Sequence, residues 1–168
     1  MTLAELNDAV RQQFVASLGW IFEDSPWVAE RAWAQRPFAS VEALHAAMVA
    51  EVLAADPSEQ RALLRAHPDL GTRARMSDAS QGEQAGAGLD RLTAEEFDQL
   101  QRLNAAYRAR FGFPFLFAVR GSTKYDVLQA LAARLSAAPD AELAEALQQM
   151  FRIAQFRLHD AIEASSSP

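Results

Sequence analysis

Histidines are the first candidates for proton transfer, because imidazole titrates near neutral pH. The chain has three of them, His45, His67 and His159. No two are four residues apart, which is the spacing of a helical metal site, and no metal is predicted. His45 and His159 fit ordinary helix positions. His67 precedes Pro68, which disfavours helical backbone there and directs the imidazole into a loop, as either a general acid/base or a helix cap.

A second segment combines a hydroxyl, a carboxylate and two amides with a glycine: Ser80, Gln81, Gly82, Glu83 and Gln84. Two interpretations fit this segment. The Ser-x-x-Glu spacing of Ser80 and Glu83 is that of a capping box at the start of a helix. In the other interpretation, Glu83 and Gln84 face a ligand, and the small residues nearby let the backbone approach that ligand closely.

An aromatic segment follows the helix predicted to end near Gly112. It could be a hydrophobic plug between two helices. It could also be the wall of an apolar pocket whose backbone N–H groups hold a carbonyl or a carboxylate, as in an oxyanion hole. The residues concerned are Phe115, Leu116, Phe117, Ala118 and Val119.

Arg157 lies on the last predicted helix among apolar neighbours. Ile153, Ala154 and Ala161 stand three or four residues from it. An arginine in such a place either extends outward to solvent or is buried as a clamp for a carboxylate. The spacing alone leaves both alternatives open.

The elements that must position these side chains are helices, because apolar residues recur at helical spacing and no segment alternates with period two. Capping residues and prolines set the helix boundaries. The predicted helices span about 3–18, 27–35, 41–52, 57–66, 94–111, 124–135 and 139–162. Seven or eight helices joined by short connections predict an all-α protein with a single compact domain.

Composition excludes several functional classes. The 168 residues include no cysteine, which excludes disulfides, a thiolate nucleophile and cysteine-type zinc or iron–sulfur sites. The formal net charge of −6 argues against a nucleic-acid partner, because an acidic surface repels phosphate backbones. No apolar stretch approaches the roughly 20 residues of a membrane-spanning helix.

Length and terminal composition predict the domain organisation. A chain of this length predicts one helical domain over residues 1–164, followed by a polar tail at 165–168. The first residues lack the pattern of a signal peptide, and the last ones are not a peroxisomal address. The expected location is therefore the cytoplasm.

Three motifs taken together resemble one enzyme family. Residues 66–71 read Ala-His-Pro-Asp-Leu-Gly, residues 80–89 read Ser-x-x-Glu-Gln-x-x-Ala-Gly-Leu, and residues 104–115 read Asn-x-x-Tyr-x-x-x-Phe-Gly-Phe-Pro-Phe. They resemble the family of 2-oxo-4-hydroxy-4-carboxy-5-ureidoimidazoline (OHCU) decarboxylases. That family performs the last step in the conversion of urate to (S)-allantoin. The resemblance extends from about residue 3 to about residue 158 and includes Phe-Glu-x-Ser-Pro-Trp at 22–27.

The resemblance implies an all-helical, cofactor-free decarboxylase with a small-molecule ureidoimidazoline substrate, usually a homodimer. It implies His67 as the catalytic proton donor and Pro68 as a substrate contact. It also places Ser80–Gln84, the backbone of Phe115–Val119 and Arg157 at the substrate. The catalytic residues would be His67, Glu83 and Arg157.

Two other functional classes fit parts of the sequence. A ureide-binding or sensing domain would keep the pocket but would not catalyse a reaction. It would bind allantoin tightly without turnover. A helical protein–protein adaptor would show an exposed apolar groove and no ligand-dependent rise in melting temperature. The retained motif residues and the three loop motifs favour the enzyme over both.

Overall fold

The computed structural model of the protein describes residues 1–72 and 76–166, with side chains described up to residue 162. Its helices are α1 (Leu3–Asp8), α2 (Arg11–Leu18), α3 (Trp27–Ala32), α4 (Val41–Ala54), α5 (Pro57–Arg65), α6 (Asp78–Gly86), α7 (Ala94–Phe111), α8 (Lys124–Arg134) and α9 (Pro139–Ser166). A 3₁₀ turn, Trp33–Gln35, follows α3. The described residues contain no strand, and the all-α prediction is confirmed.

The chain is divided into two compact units. The first comprises Met1–Ala66 with Phe151–Pro168, and the second comprises His67–Met150. The candidate residues from His67 to Val119 therefore belong to the second unit, and Arg157 belongs to the first. The predicted boundary between a helical domain and a tail at residue 165 stays a prediction.

Each unit has its own buried apolar side chains. The core residues of α1 to α5 include Leu6, Phe14, Leu18, Val28, Leu44, Met48, Val52, Leu63 and Leu64. The core residues of α7, α8 and the first half of α9 include Leu100, Tyr107, Val127, Leu131, Ala146 and Met150. Burial of these side chains supplies most of the free energy that favours folding.

In the described part of the chain, four helices begin with a capping box, in which the cap side chain and the third helical residue bond each other's backbone N–H. The pairs are Thr2 with Glu5, Asp56 with Glu59, Thr93 with Glu96, and Thr123 with Asp126. All four helix starts are confirmed where the sequence predicts them. The start of α3 differs, because Pro26 occupies the cap position and the Ser25 hydroxyl donates to the carbonyl of Glu23.

The first predicted helix is interrupted. Ala9 and Val10 are extended, and they separate α1 from α2. The guanidinium of Arg36 donates to the carbonyl oxygens of Asn7 and Ala9 at 2.6 and 2.7 Å, and Trp33 also donates to Ala9. These long-range donors satisfy carbonyl groups at the end of α1, so the interruption leaves no buried acceptor without a partner there.

Among the described residues, none of the helices combines the length and the apolar composition that crossing a bilayer would require.

Candidate active site

His67 stands in a loop of the second unit. The preceding Ala66 closes α5 with its N–H bonded to the Ala62 carbonyl, as the sequence predicts for a residue so close to a proline. His67 is buried, with 6% of its surface exposed, whereas Pro68 is half-buried. A buried imidazole next to a partly accessible proline is suited to proton exchange with a small molecule that excludes water.

Gln84 anchors the loop that follows His67. Its side-chain oxygen accepts a hydrogen bond from the N–H of Gly71 at 2.9 Å. Gly71 has φ +70°, which favours glycine, and a Cβ there would lie 2.3 Å from Leu100 Cδ2, so that side chain would have to move. The sequence predicts Gln84 as a substrate contact, and the structure shows its oxygen engaged by this loop.

Two residues of α7 hold the same loop. The Asn104 amide donates to the carbonyl of Leu70 at 2.9 Å, and Arg108 forms an ion pair with Asp69 at 2.8 Å. Asn104 is 3% exposed, whereas Arg108 and Asp69 are only partly covered. Asn104 belongs to the third motif, but sequence reasoning gave it no role, because its partner lies 34 residues away.

Of the two interpretations of Ser80 and Glu83, the capping box is wrong. The cap of α6 is Ser77, whose hydroxyl accepts from the N–H of Ser80 at 3.2 Å. Ser80 and Glu83 are therefore helical residues within α6. Their side chains therefore do not cap the start of α6, which was one of the two alternatives that the sequence offered.

The five candidates on α6 divide between two faces. Ser80 and Gln84 are buried and Glu83 is half-buried, as expected for neighbours on one helical face. Gln81 and Gly82 are exposed on another face. The structure thus groups Ser80, Glu83 and Gln84 and leaves Gln81 and Gly82 apart from them.

The aromatic segment after α7 is buried and is not helical. Gly112 ends α7 with φ +78°, and Phe113 and Phe115 then pack edge-on against the ring of Tyr107. Phe115 is 1% exposed. The buried side chains agree with the interpretation of this segment as a hydrophobic plug. The part of the segment that could contact a ligand is therefore its backbone.

A network of polar side chains contacts this segment. The Tyr107 hydroxyl donates to the Glu142 carboxylate, and Arg134 Nε donates to the same carboxylate at 2.8 Å. Burial, and then the hydrogen bond to Glu142, raise the pKa of Tyr107 far above its usual range. The phenol therefore stays protonated at any working pH and remains a donor. Sequence reasoning missed Glu142 and Arg134, because an ordinary helix would also carry such residues.

Two side chains bind the backbone of Phe115–Val119. Arg134 Nη1 donates to the carbonyl of Leu116 at 2.6 Å, and the N–H of Ala118 donates to Gln149 Oε1 at 2.9 Å. Within residues 1–72 and 76–166, no hydrogen bond involves the backbone N–H or C=O of Phe117. Phe117 is half-buried, whereas the other four residues of the segment are buried, so its two backbone groups are the ones that we assign to a ligand.

Arg157 forms a buried ion pair in the first unit. Its Nη1 lies 3.0 Å from Glu23 Oε2 and 3.2 Å from the carbonyl of Ile21, and both charged side chains are 3% exposed. The structure therefore favours the interpretation of Arg157 as a buried clamp. The carboxylate that Arg157 holds is that of Glu23. Glu23 lies within the Phe-Glu-x-Ser-Pro-Trp motif, which was the signal that could have revealed it.

The remaining histidines have structural partners. His45 Nε2 lies 2.8 Å from the carbonyl of Phe151, and His159 Nε2 lies 3.4 Å from Glu42. In the part of the chain that the structure describes, no group of three His, Asp or Glu side chains could hold a metal ion.

Comparison with known proteins shows the family to which the chain belongs. The family model described as OHCU decarboxylase matches residues 7–159. The chain belongs to the OHCU decarboxylase family. The resemblance of the three motifs is thereby confirmed.

Individual relatives agree with this assignment. The OHCU decarboxylase of Haloferax volcanii is 45% identical over 158 residues, which are 94% of each chain. The uric acid degradation bifunctional protein of Bacillus subtilis is 47% identical over 161 residues, which are 96% of this chain and 33% of that one. This member of the OHCU decarboxylase family therefore spans about a third of the bifunctional protein's length.

A solved relative has the same fold. The crystal structure of an (S)-allantoin synthase superimposes with a TM-score of 0.77 at 34% identity, and the match covers 96% of this chain and 54% of that one.

Proposed function

We propose that this protein decarboxylates OHCU to (S)-allantoin, the last step of urate oxidation. The observation that carries the proposal is the match to the Haloferax volcanii OHCU decarboxylase over 94% of both chains. The buried His67 on its anchored loop supplies a residue that can move the protons. The enzyme is a carboxy-lyase in this assignment.

The reaction needs little covalent chemistry from the protein. One ring carbon of OHCU carries a hydroxyl and a carboxylate, and its neighbour is a C=N carbon that bears the ureido group. When the bond to the carboxylate breaks, carbon dioxide leaves, and the electron pair forms a double bond between the two ring carbons as the ring nitrogen is protonated. The hydroxyl then loses its proton and becomes a carbonyl, while the ureido-bearing carbon gains one proton. Positioning and proton delivery are the protein's tasks.

His67 is the proposed general acid/base. Its imidazole would exchange a proton with the substrate hydroxyl or with the enol that forms after carbon dioxide leaves. Delivery of the proton to one face of the ureido-bearing carbon would produce one enantiomer of allantoin. The anchored loop from Pro68 to Gly71 supports this role, because it limits the orientations open to His67.

The buried face of α6 is the proposed binding surface for the polar edge of the substrate. Glu83 would accept hydrogen bonds from ring or ureido N–H groups, and Ser80 would add a neutral contact. Gln84 would act through the Gly71 loop that it holds. Gln81 and Gly82 are exposed, and in this proposal only their backbone atoms would contact the substrate.

The backbone of Phe117 is the proposed partner for an amide group of the substrate. A ureide presents both a carbonyl and an N–H, and Phe117 offers one donor and one acceptor. The buried neighbours of Phe117 would favour neutral carbon dioxide over the carboxylate.

Arg157 is proposed to hold an oxygen of the substrate through a charge-assisted hydrogen bond. Its Nη1 donates to Glu23 and to the carbonyl of Ile21. We also propose a cytoplasmic homodimer. Size-exclusion chromatography with light scattering would give twice the chain mass for that assembly and the chain mass for a monomer.

Circular dichroism during urate breakdown tests the proposed function. Urate is oxidised with a uricase and a hydroxyisourate hydrolase, with and without this protein. Rapid growth of the (S)-allantoin signal is the expected result. A slow drift to racemic allantoin that the folded protein does not change would refute the decarboxylase assignment, and calorimetry with allantoin would then test the binding-domain alternative.

A further inference from the structure

The backbone on either side of Phe117 is hydrogen-bonded by side chains from two helices, α8 and α9. Arg134 lies at the end of α8 and donates to Leu116, and Gln149 lies on α9 and accepts from Ala118. Both side chains belong to the same unit as His67. Phe117 stands between the two bonded residues.

The planarity of the peptide bond makes these two contacts directional. In a trans peptide unit the C=O and the following N–H point in opposite directions. The bond from Arg134 to the Leu116 carbonyl therefore turns the Phe117 N–H away from Arg134. The bond from the Ala118 N–H to Gln149 likewise turns the Phe117 carbonyl away from Gln149.

Both anchoring side chains are themselves held. Arg134 also bonds Glu142, and its guanidinium stacks 4.5 Å from the centre of the Phe115 ring. Gln149 is 8% exposed, and its amide nitrogen donates to Glu145 at 2.8 Å. The second bond fixes which end of the Gln149 amide faces Ala118, because the nitrogen is needed by the carboxylate.

We propose that Gln149 and Arg134 are positioning residues that set the direction of the Phe117 N–H and C=O for binding of the ureide. The proposal rests on the proposed function of the same site. Its physical basis is that a donor–acceptor pair binds an amide only when both groups point at it, so loss of either anchor should weaken binding of substrate and product alike.

Gln149→Met is the first test, because methionine has a similar size and cannot accept the Ala118 hydrogen bond. The variant is expected to raise the KM for OHCU and the dissociation constant of (S)-allantoin about tenfold, with kcat nearly unchanged, as for loss of uniform binding. Gln148→Met, one residue away on an exposed face of α9, is the matched control and should match the wild type in both constants.

A merely structural role for Gln149 predicts a different result. Destabilisation lowers the fraction of folded enzyme, which lowers the apparent kcat and leaves KM unchanged. That outcome would overturn the proposal. Equal KM and equal allantoin affinity in a folded Gln149→Met variant would overturn it as well.

Arg134→Lys is the second test, and it can still test the proposal if Gln149→Met does not fold. Lysine retains the charge near Glu142 but lacks the fork that reaches both Glu142 and the Leu116 carbonyl. KM is again expected to rise with little change in kcat. Arg110→Lys is the matched control, because Arg110 also donates to a backbone carbonyl, that of Ala137, at an exposed site.

The wild-type protein assayed in parallel separates the two possible failures. A wild type that does not accelerate (S)-allantoin formation refutes the proposed function and the positioning roles with it. An active wild type with unaltered KM in Gln149→Met and Arg134→Lys refutes the positioning roles alone.

Discussion

His67 is the residue whose replacement should affect the chemistry most. One general acid/base contributes about 10²–10⁴-fold to a rate, so His67→Asn should lower kcat by about that factor. KM should change little, because asparagine keeps a polar group of moderate size at the loop. Stopped-flow mixing of freshly made OHCU with the variant, followed by circular dichroism, measures both constants.

His159→Asn is the control for that experiment. The same substitution at His159, which lies 3.4 Å from Glu42 in the first unit, removes an imidazole without touching the loop of His67. It should leave kcat unchanged. A folded His67→Asn enzyme with the wild-type rate would remove His67 from the mechanism, and the proton would then have to come from another group, of which Glu83 is the first to test.

Glu23→Gln tests the buried ion pair. Neutralising Glu23 breaks a buried ion pair and leaves the Arg157 guanidinium without that carboxylate, which costs about 3 kcal/mol in unfolding free energy. Urea denaturation followed by far-UV circular dichroism measures the difference. Glu30→Gln is the matched control, because its partner Arg11 is exposed and such surface pairs contribute about 1 kcal/mol or less. Similar losses in both variants would contradict the assigned burial of the Glu23 pair.

Residue-scale predictions from the sequence succeed where the cause is local. Pro68 alone is enough to place His67 outside a helix, because the steric clash acts on the adjacent residue. The bond from Gly71 to Gln84 could not be predicted, since it depends on how α6 packs and not on spacing. Glu23 was missed for the same reason, as its partner Arg157 lies 134 residues away.

Helix starts are the feature of the elements that the sequence predicts best. A cap needs a hydroxyl or carboxylate and a partner three residues later, and both are visible in the sequence. Helix interruptions are harder, as the break between α1 and α2 shows. That break depends on donors from Arg36 and Trp33, which lie more than twenty residues away. The start of α6 at Ser77 was missed because glycines and small polar residues conceal its periodicity.

The cap of α7 should make stability depend on pH. The hydrogen bond from Lys124, followed by that from the Thr93 backbone, holds the pKa of Glu96 below its usual range. Since the pKa is lower in the folded protein than in the unfolded chain, the stabilisation is complete above the usual carboxyl range and is lost as the pH falls through the folded value. Glu96→Gln should therefore destabilise the protein at pH 7, and this difference should decrease as the pH is lowered from 7 to 3.

Melting temperatures of the wild type and Glu96→Gln over that pH range check this expectation. Glu95→Gln, one residue earlier and exposed, removes the same formal charge without removing the contact with Lys124. A difference between wild type and Glu96→Gln that persists undiminished at pH 3 would show that the Glu96 carboxylate does not carry the effect.

At the scale of the whole molecule, the candidate residues are unequally distributed. The loop of His67, the buried face of α6 and the Phe115–Val119 segment all belong to the unit His67–Met150, whereas Arg157 belongs to the other unit. Composition and periodicity predict the helical class, but they carry no information about this division. It depends on which helices pack together, and α9 contributes residues to both units.

Hydrogen exchange with and without (S)-allantoin should show which parts of the chain the ligand orders. We expect slower exchange at residues 69–72 and 115–119, because these loop amides lie beside the proposed contacts and a bound ligand suppresses local opening. The turn at Trp20–Glu23 reports on Arg157, since its carbonyls and carboxylate hold that guanidinium. Protection of this turn by allantoin, lost in Arg157→Lys, would support the role of Arg157 at the substrate. Protection confined to residues 67–150 would remove Arg157 from the site and leave it the structural partner of Glu23.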